Sequence, residues 1–150
     1  MRIYIDTSVM NGLSCQDSTI RVATSDFLQR VKIGHYTLYG SELVADEIKE
    51  TLDAKLRQSL IDLLEEYEVE ILPLSEEVRT LAQVYIDKKI IPKKYLADAL
   101  HIAIAAINNI PVLVSWNFEH MVKHKTRIEV NRIHQKINLS QIDICSPQEV

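Results

Sequence analysis

Two rhythms of hydrophobic and polar positions alternate along the chain. RIYID (2–6) reads as a strand ending at Asp6, and residues 17–32 place Ile20, Ala23, Phe27, Leu28 and Val31 on one helical stripe. Gly34 follows that stripe where a helix-closing glycine belongs. HYTLYG (35–40) predicts a second strand, and Ser41 the N-cap of a helix running to about Leu52. Residues 54–67 carry Leu56, Leu60, Leu63 and Leu64 at helical spacing, VEILPL (69–74) reads as a strand, and Ser75 caps a helix to about Lys88. YLADALHIAIAAIN (95–108) is a helix apolar nearly all round, and IPVLVS (110–115) a continuous apolar strand of the kind buried in parallel sheets. A short helix is expected from Asn117 to about Lys123, and a last strand at IDICS (142–146). Strands alternating with helices predict a three-layer α/β/α sandwich with a central, mainly parallel sheet. No repeat or boundary interrupts it, so residues 1–150 are expected to form a single domain.

Composition narrows the picture. With 150 residues, 47% hydrophobic and 25% charged, the chain has one domain's length and is too apolar for disorder. Three Gly and four Pro leave no room for a Gly-rich phosphate loop. No run approaches the roughly 18–20 apolar residues of a membrane span, and MRIYIDTSVM is too short and acidic for a signal peptide. Cys15 and Cys145 alone cannot build a Cys-based zinc site, and a reducing cytoplasm is the expected location, with no membrane partner.

The net charge of −4 argues mildly against nucleic-acid binding by bulk electrostatics, but its distribution is uneven. Twelve acidic residues face Lys49, Lys55 and Arg57 between Ser41 and Glu77. From Asn117 to Asn138 the balance reverses: Lys123, Lys125, Arg127, Arg132 and Lys136, with His120, His124 and His134, face only Glu119 and Glu129.

Five positions carry the candidate chemistry. Asp98 lies in the second turn of the apolar helix, where an unpaired carboxylate costs several kcal/mol, on the order of 3–5. A helix dipole, a cation or a metal must compensate, unless Asp98 faces solvent or pairs with Lys93, Lys94 or His101. Asp6 ends a strand expected to be central and points toward the crevice where α/β sheets bind ligands, or else caps the next segment. Within SELVADEIKE, Glu47 borders the apolar stripe and is the acid expected to reach inward, while Asp46 and Glu50 look outward. Ser115 and Asn117 follow the other central strand, Asn117 doubling as a candidate N-cap. His101, three residues after Asp98, reads as a satisfied core or rim histidine, or as one that tunes the site. Carboxylates gathered at one sheet edge repel one another and suit a hard oxygen-bound ion, Mg²⁺ or Mn²⁺. His120 and His124 lack the Glu of a zinc metallopeptidase motif, since Met121 stands there.

IDTSVMNG, SELVADEI, DALHIAIAA and LVSWNFEHMV, in that order over roughly residues 2–125, resemble the PIN domain, the metal-dependent ribonuclease fold typified by VapC-type toxins. Residues 126–150 would be a C-terminal extension. The resemblance implies a PIN-like fold and a Mg²⁺- or Mn²⁺-dependent ribonuclease cutting single-stranded RNA to leave 5′-phosphates. Asp6, Glu47 and Asp98 would be metal ligands, and Ser115 the hydroxyl before the fourth acidic position. That position holds Asn117, where most active members carry Asp, so a catalytically weak domain that only binds RNA or protein is the alternative. An antitoxin partner and a homodimer are also implied. Lys123, Lys125 and Arg127 are the candidate phosphate contacts.

Overall fold

The computed structural model describes residues 1–150. Five parallel strands form one sheet in the order β3-β2-β1-β4-β5, comprising β1 (Arg2–Ile5), β2 (Thr37–Ser41), β3 (Glu70–Leu72), β4 (Val112–Val114) and β5 (Asp143–Cys145). Helices flank it: α1 (Thr7–Gly12), α2 (Ser18–Gly34), α3 (Glu42–Lys49), α4 (Ala54–Glu66), α5 (Glu76–Asp87), α6 (Leu96–Ile107) and α7 (His124–Lys136). The expected α/β sandwich is therefore present, and its sheet is wholly parallel. No helix is long and apolar enough to cross a membrane.

The first strand is central, as its buried triplet Ile3–Tyr4–Ile5 requires. Its carboxyl end and that of β4 lie side by side, with Ile5 in register with Val114. Helix α6 is buried from Ala99 through Ala106, matching its all-apolar reading, and α5 packs against it. Ser41 and Ser75 cap α3 and α5 through bonds from the Val44 and Val78 amides.

Four local expectations are corrected. Helix α2 runs through Gly34, and His35 takes the left-handed position (φ 54°) that closes it, its amide bonding the Val31 carbonyl. Asp6 caps a six-residue helix, α1, that the hydrophobic pattern did not predict. No helix forms at 117–123: the Asn117 carbonyl accepts from both Met121 and Val122, and its side chain from the His120 amide, so one turn closes on itself. The helix begins instead at His124, inside a segment read only as basic.

Gly12 marks where α1 meets α2 and the strand-end loop. A Cβ there would lie 2.3 Å from Thr24 Oγ1 and 3.0 Å from Trp116 Nε1, the two atoms that bond each other at 2.9 Å. Trp116 is thus a packing anchor at the end of β4.

Candidate functional site

Asp6 is 5% exposed at the end of β1. Its two carboxylate oxygens accept from Ser8 Oγ at 2.5 Å and Ser115 Oγ at 2.6 Å, and the Val9 amide adds a bond at 3.3 Å. Both serines are themselves fixed: Ser8 Oγ accepts from the Trp116 amide and Ser115 Oγ from the Asn117 amide, each at 2.9 Å. The N-cap reading of Asp6 and the crevice reading are therefore both realised by one side chain.

Glu47, on α3, is the acid of its segment that turns inward, while Asp46 and Glu50 are exposed. Its Oε1 accepts from His101 Nε2 at 2.8 Å and from Thr7 Oγ1 at 3.1 Å. Burial raises the Glu47 pKa, yet the bond and electrostatic pull of His101, with the Thr7 bond, outweigh it and hold the carboxyl below its ordinary range.

Asp98, in the first turn of α6, keeps 18% of its side chain exposed, and its Oδ2 lies 3.1 Å from His120 Nδ1. Burial pushes its pKa up, against the opposing pull of the Asn117 side chain, His120 and His101. Neither Lys93 nor Lys94 is its partner. His120 stacks on Tyr95 with ring centroids 3.8 Å apart.

Hydrogen bonds link the surroundings of the expected residues. Thr7, next to Asp6, holds Glu47; His101, one turn beyond Asp98, holds the same carboxylate; Ser115 joins Asp6 to the turn that carries Asn117 beside Asp98. The acids are held by serines, a threonine and two histidines, and no three His, Cys, Asp or Glu side chains converge as a preformed chelate. Among the basic candidates, Lys123 and Lys125 are exposed, whereas Arg127 is engaged by Glu149 at 3.1 Å. A surface cavity of about 510 Å³ lies away from these residues, lined by Ser18, Thr19, Asp26 and Arg30 among others.

Sequence reading missed Tyr4, Ser8 and His120 as members of this network. Ser8 was visible only as a neighbour of Asp6. Tyr4 carries its polar tip on a strand position otherwise indistinguishable from core, and His120 is separated from Asp98 by an entire strand.

The family model of the PIN domain matches residues 3–119. The chain belongs to the PIN domain family. No curated protein sequence matches it. Among solved structures, the fold of this PIN domain is similar to VapBC2 from Rickettsia felis, solved bound to a DNA fragment from its promoter: TM-score 0.56, 15% identity, covering 97% of this chain and 98% of that one. It is also similar to VapC20 from Mycobacterium tuberculosis, a Sarcin-Ricin loop cleaving toxin: TM-score 0.59, 12% identity, covering 79% of this chain and 92% of that one.

Proposed function

We propose that this PIN domain is a divalent-metal-dependent endoribonuclease that hydrolyses phosphodiester bonds of single-stranded RNA, as the toxin of a toxin–antitoxin pair. The observation that carries the reading is the hydrogen-bonded network through Thr7, His101, Ser115 and Asn117 that links the surroundings of Asp6, Glu47 and Asp98, three acids from separate elements. Family membership and likeness of fold to VapC proteins support it.

The donor set fits a hard cation. Asp6, Glu47 and Asp98 offer only oxygen, the chemistry of Mg²⁺ and Mn²⁺. A carboxylate oxygen that accepts one hydrogen bond keeps a lone pair for a ligand. An ion bound there lowers the pKa of its water and neutralises charge developing on the phosphate. The chain's own residues do the rest. Two serine hydroxyls hold Asp6 in one orientation, and Ser115 ties that orientation to the turn bearing Asn117. Asparagine in place of a fourth acid removes one negative charge from the edge an RNA backbone must approach. Lys123 and Lys125 hold the phosphates, with Arg127 contributing less because Glu149 engages it. The product carries a 5′-phosphate and a 3′-hydroxyl. An antitoxin that lays a segment over the carboxylates, a homodimer built on residues 20–31 and 41–67, and a cytoplasmic setting complete the proposal.

One observation favours a second reading, a PIN module that binds without turnover: Asn117 stands at the fourth acidic position and no preformed chelate exists. Incubating the protein with an unstructured single-stranded RNA in Mg²⁺ or Mn²⁺ separates the two. Cleavage that chelator abolishes and Asp98→Asn removes supports the nuclease; retained binding without any cleavage in either metal supports the module.

A further inference from the structure

A line of hydrogen bonds runs from the heart of the sheet to Glu47. The Val44 amide donates to Ser41 Oγ at 3.2 Å; Ser41 Oγ lies 2.9 Å from Tyr4 Oη; Tyr4 Oη lies 2.7 Å from His101 Nδ1; and His101 Nε2 lies 2.8 Å from Glu47 Oε1. Ser41 and Tyr4 are fully buried and His101 is 3% exposed. Four elements are stitched together: β1 through Tyr4, the end of β2 through Ser41, α6 through His101 and α3 through Glu47.

The polarity of the line is determined by its ends. A carboxylate only accepts, so His101 Nε2 carries a hydrogen toward Glu47. Ser41 Oγ already accepts from Val44, which leaves its own hydrogen free for Tyr4 Oη. The Tyr4 phenol, kept protonated by burial, then donates to a bare Nδ1. The opposite direction would leave the Ser41 hydroxyl hydrogen without an acceptor in a fully buried site, which folded proteins rarely tolerate.

We infer that Ser41, Tyr4 and His101 are positioning residues for Glu47, locking the His101 ring as its Nε2–H tautomer and aiming the carboxylate at the site shared with Asp98. The inference rests on Glu47 being a metal ligand, as proposed above. Glu47 needs such a device more than its companions. Its side chain is 35% exposed, whereas Asp6 is 5% exposed and held by two serines. A longer, more exposed acid loses more rotamer freedom when it binds an ion, and a partner that fixes it beforehand removes that cost. His101 also sits one turn after Asp98 on α6, so the same bond sets the spacing of α3 against the helix carrying the other acid.

The test uses the full chain without metal, then with Mn²⁺ alone. Long-range ¹H–¹⁵N correlation spectra of the metal-free protein should show His101 with a protonated Nε2 and a bare Nδ1; a protonated Nδ1 overturns the polarity and the inference with it. Calorimetric Mn²⁺ titration should show His101→Leu binding roughly 10–100-fold more weakly than wild type, the range for partners behind a metal ligand. His101→Gln, whose amide nitrogen can still donate to Glu47, should recover most of the loss, which a general packing defect would not. If His101→Leu fails to fold, Tyr4→Phe carries the test, with weaker Mn²⁺ binding expected. Wild-type affinity in the folded His101 or Tyr4 variants, while Glu47→Gln binds weakly, overturns the positioning role and leaves the ligand assignment standing. Wild-type affinity in Glu47→Gln as well removes Glu47 from the ligand set and both conclusions fall.

Discussion

The molecule contains two buried tyrosine–histidine pairs of nearly the same geometry, and only one faces the site. Tyr4 and His101 have ring centroids 5.8 Å apart at 53°; Tyr85 and His134 have theirs 5.9 Å apart at 41°. In both, the phenol meets one ring nitrogen, at 2.7 Å for His101 and 2.5 Å for His134. The difference lies at the other nitrogen. His101 ends on Glu47, a carboxylate that reaches the surface, whereas His134 ends on the backbone carbonyl of Ser140 at 3.0 Å. The second pair ties α7 and the approach to β5 onto α5, and it ends on backbone rather than on an ionisable side chain. A buried polar pair therefore acquires a functional meaning from what it leads to, not from its own chemistry.

Breaking the site side should give the largest effect. Asp98→Asn is expected to lower RNA cleavage by more than about 100-fold, since even partners behind a ligand cost 10–100-fold. Its stability should hold or rise, because burial already disfavours the charged form there. Cleavage rates and urea midpoints on the same preparation check both halves. His134→Ala should do the reverse. It leaves the Tyr85 hydroxyl and the Ser140 carbonyl unpaired beside a cavity, a loss on the order of 3 kcal/mol by urea denaturation, with cleavage intact at temperatures where the variant is folded.

A pH series sharpens the contrast. Burial holds the His134 pKa below its ordinary value, the Ser140 bond opposing only in part. The unfolded chain takes up a proton near pH 6.5 that the native state refuses, so this stability is present above about 6.5 and is lost as pH falls toward the folded value. His134→Gln should flatten that arm of the urea-midpoint profile; an unchanged slope would assign it to other groups. Next in size, Lys123→Ala and Lys125→Ala should each weaken RNA binding and lower the salt slope by about one, measured by fluorescence anisotropy across a salt series. Arg127→Ala should be the smallest, below about 1 kcal/mol, because its pair with Glu149 is partly exposed.

How much was legible follows the same division. Strand positions, the caps at Ser41 and Ser75 and the buried face of α6 were all readable, and so was the inward turn of Glu47 against the outward Asp46 and Glu50. Helix α7 was not. Its buried positions Thr126, Val130, Ile133 and His134 are at helical spacing, but two of the four are polar, so a hydrophobic pattern undercounts the stripe. Conversely, Phe118, Met121 and Val122 carry helical spacing and Asn117 caps the His120 amide as at a helix start, yet the segment closes a single turn as the Val122 amide bonds the Asn117 carbonyl. Asp6, Glu47 and Asp98 were singled out by position, but not the bonds that hydroxyls and imidazoles make to them.

Interactions spanning a few residues, such as caps, periodicity and the end of a strand, are written into neighbouring letters of the chain, which is why the fold class, the central place of β1 and the suspicion attached to Asp6, Glu47 and Asp98 could be read directly. The order of the strands, the bond from His101 to Glu47 across fifty-four positions and the meeting of His120 with Asp98 depend on contacts between segments with no local relation. Those contacts come into being only when burial of the apolar strands and of α6 brings the carboxyl ends of β1 and β4 side by side.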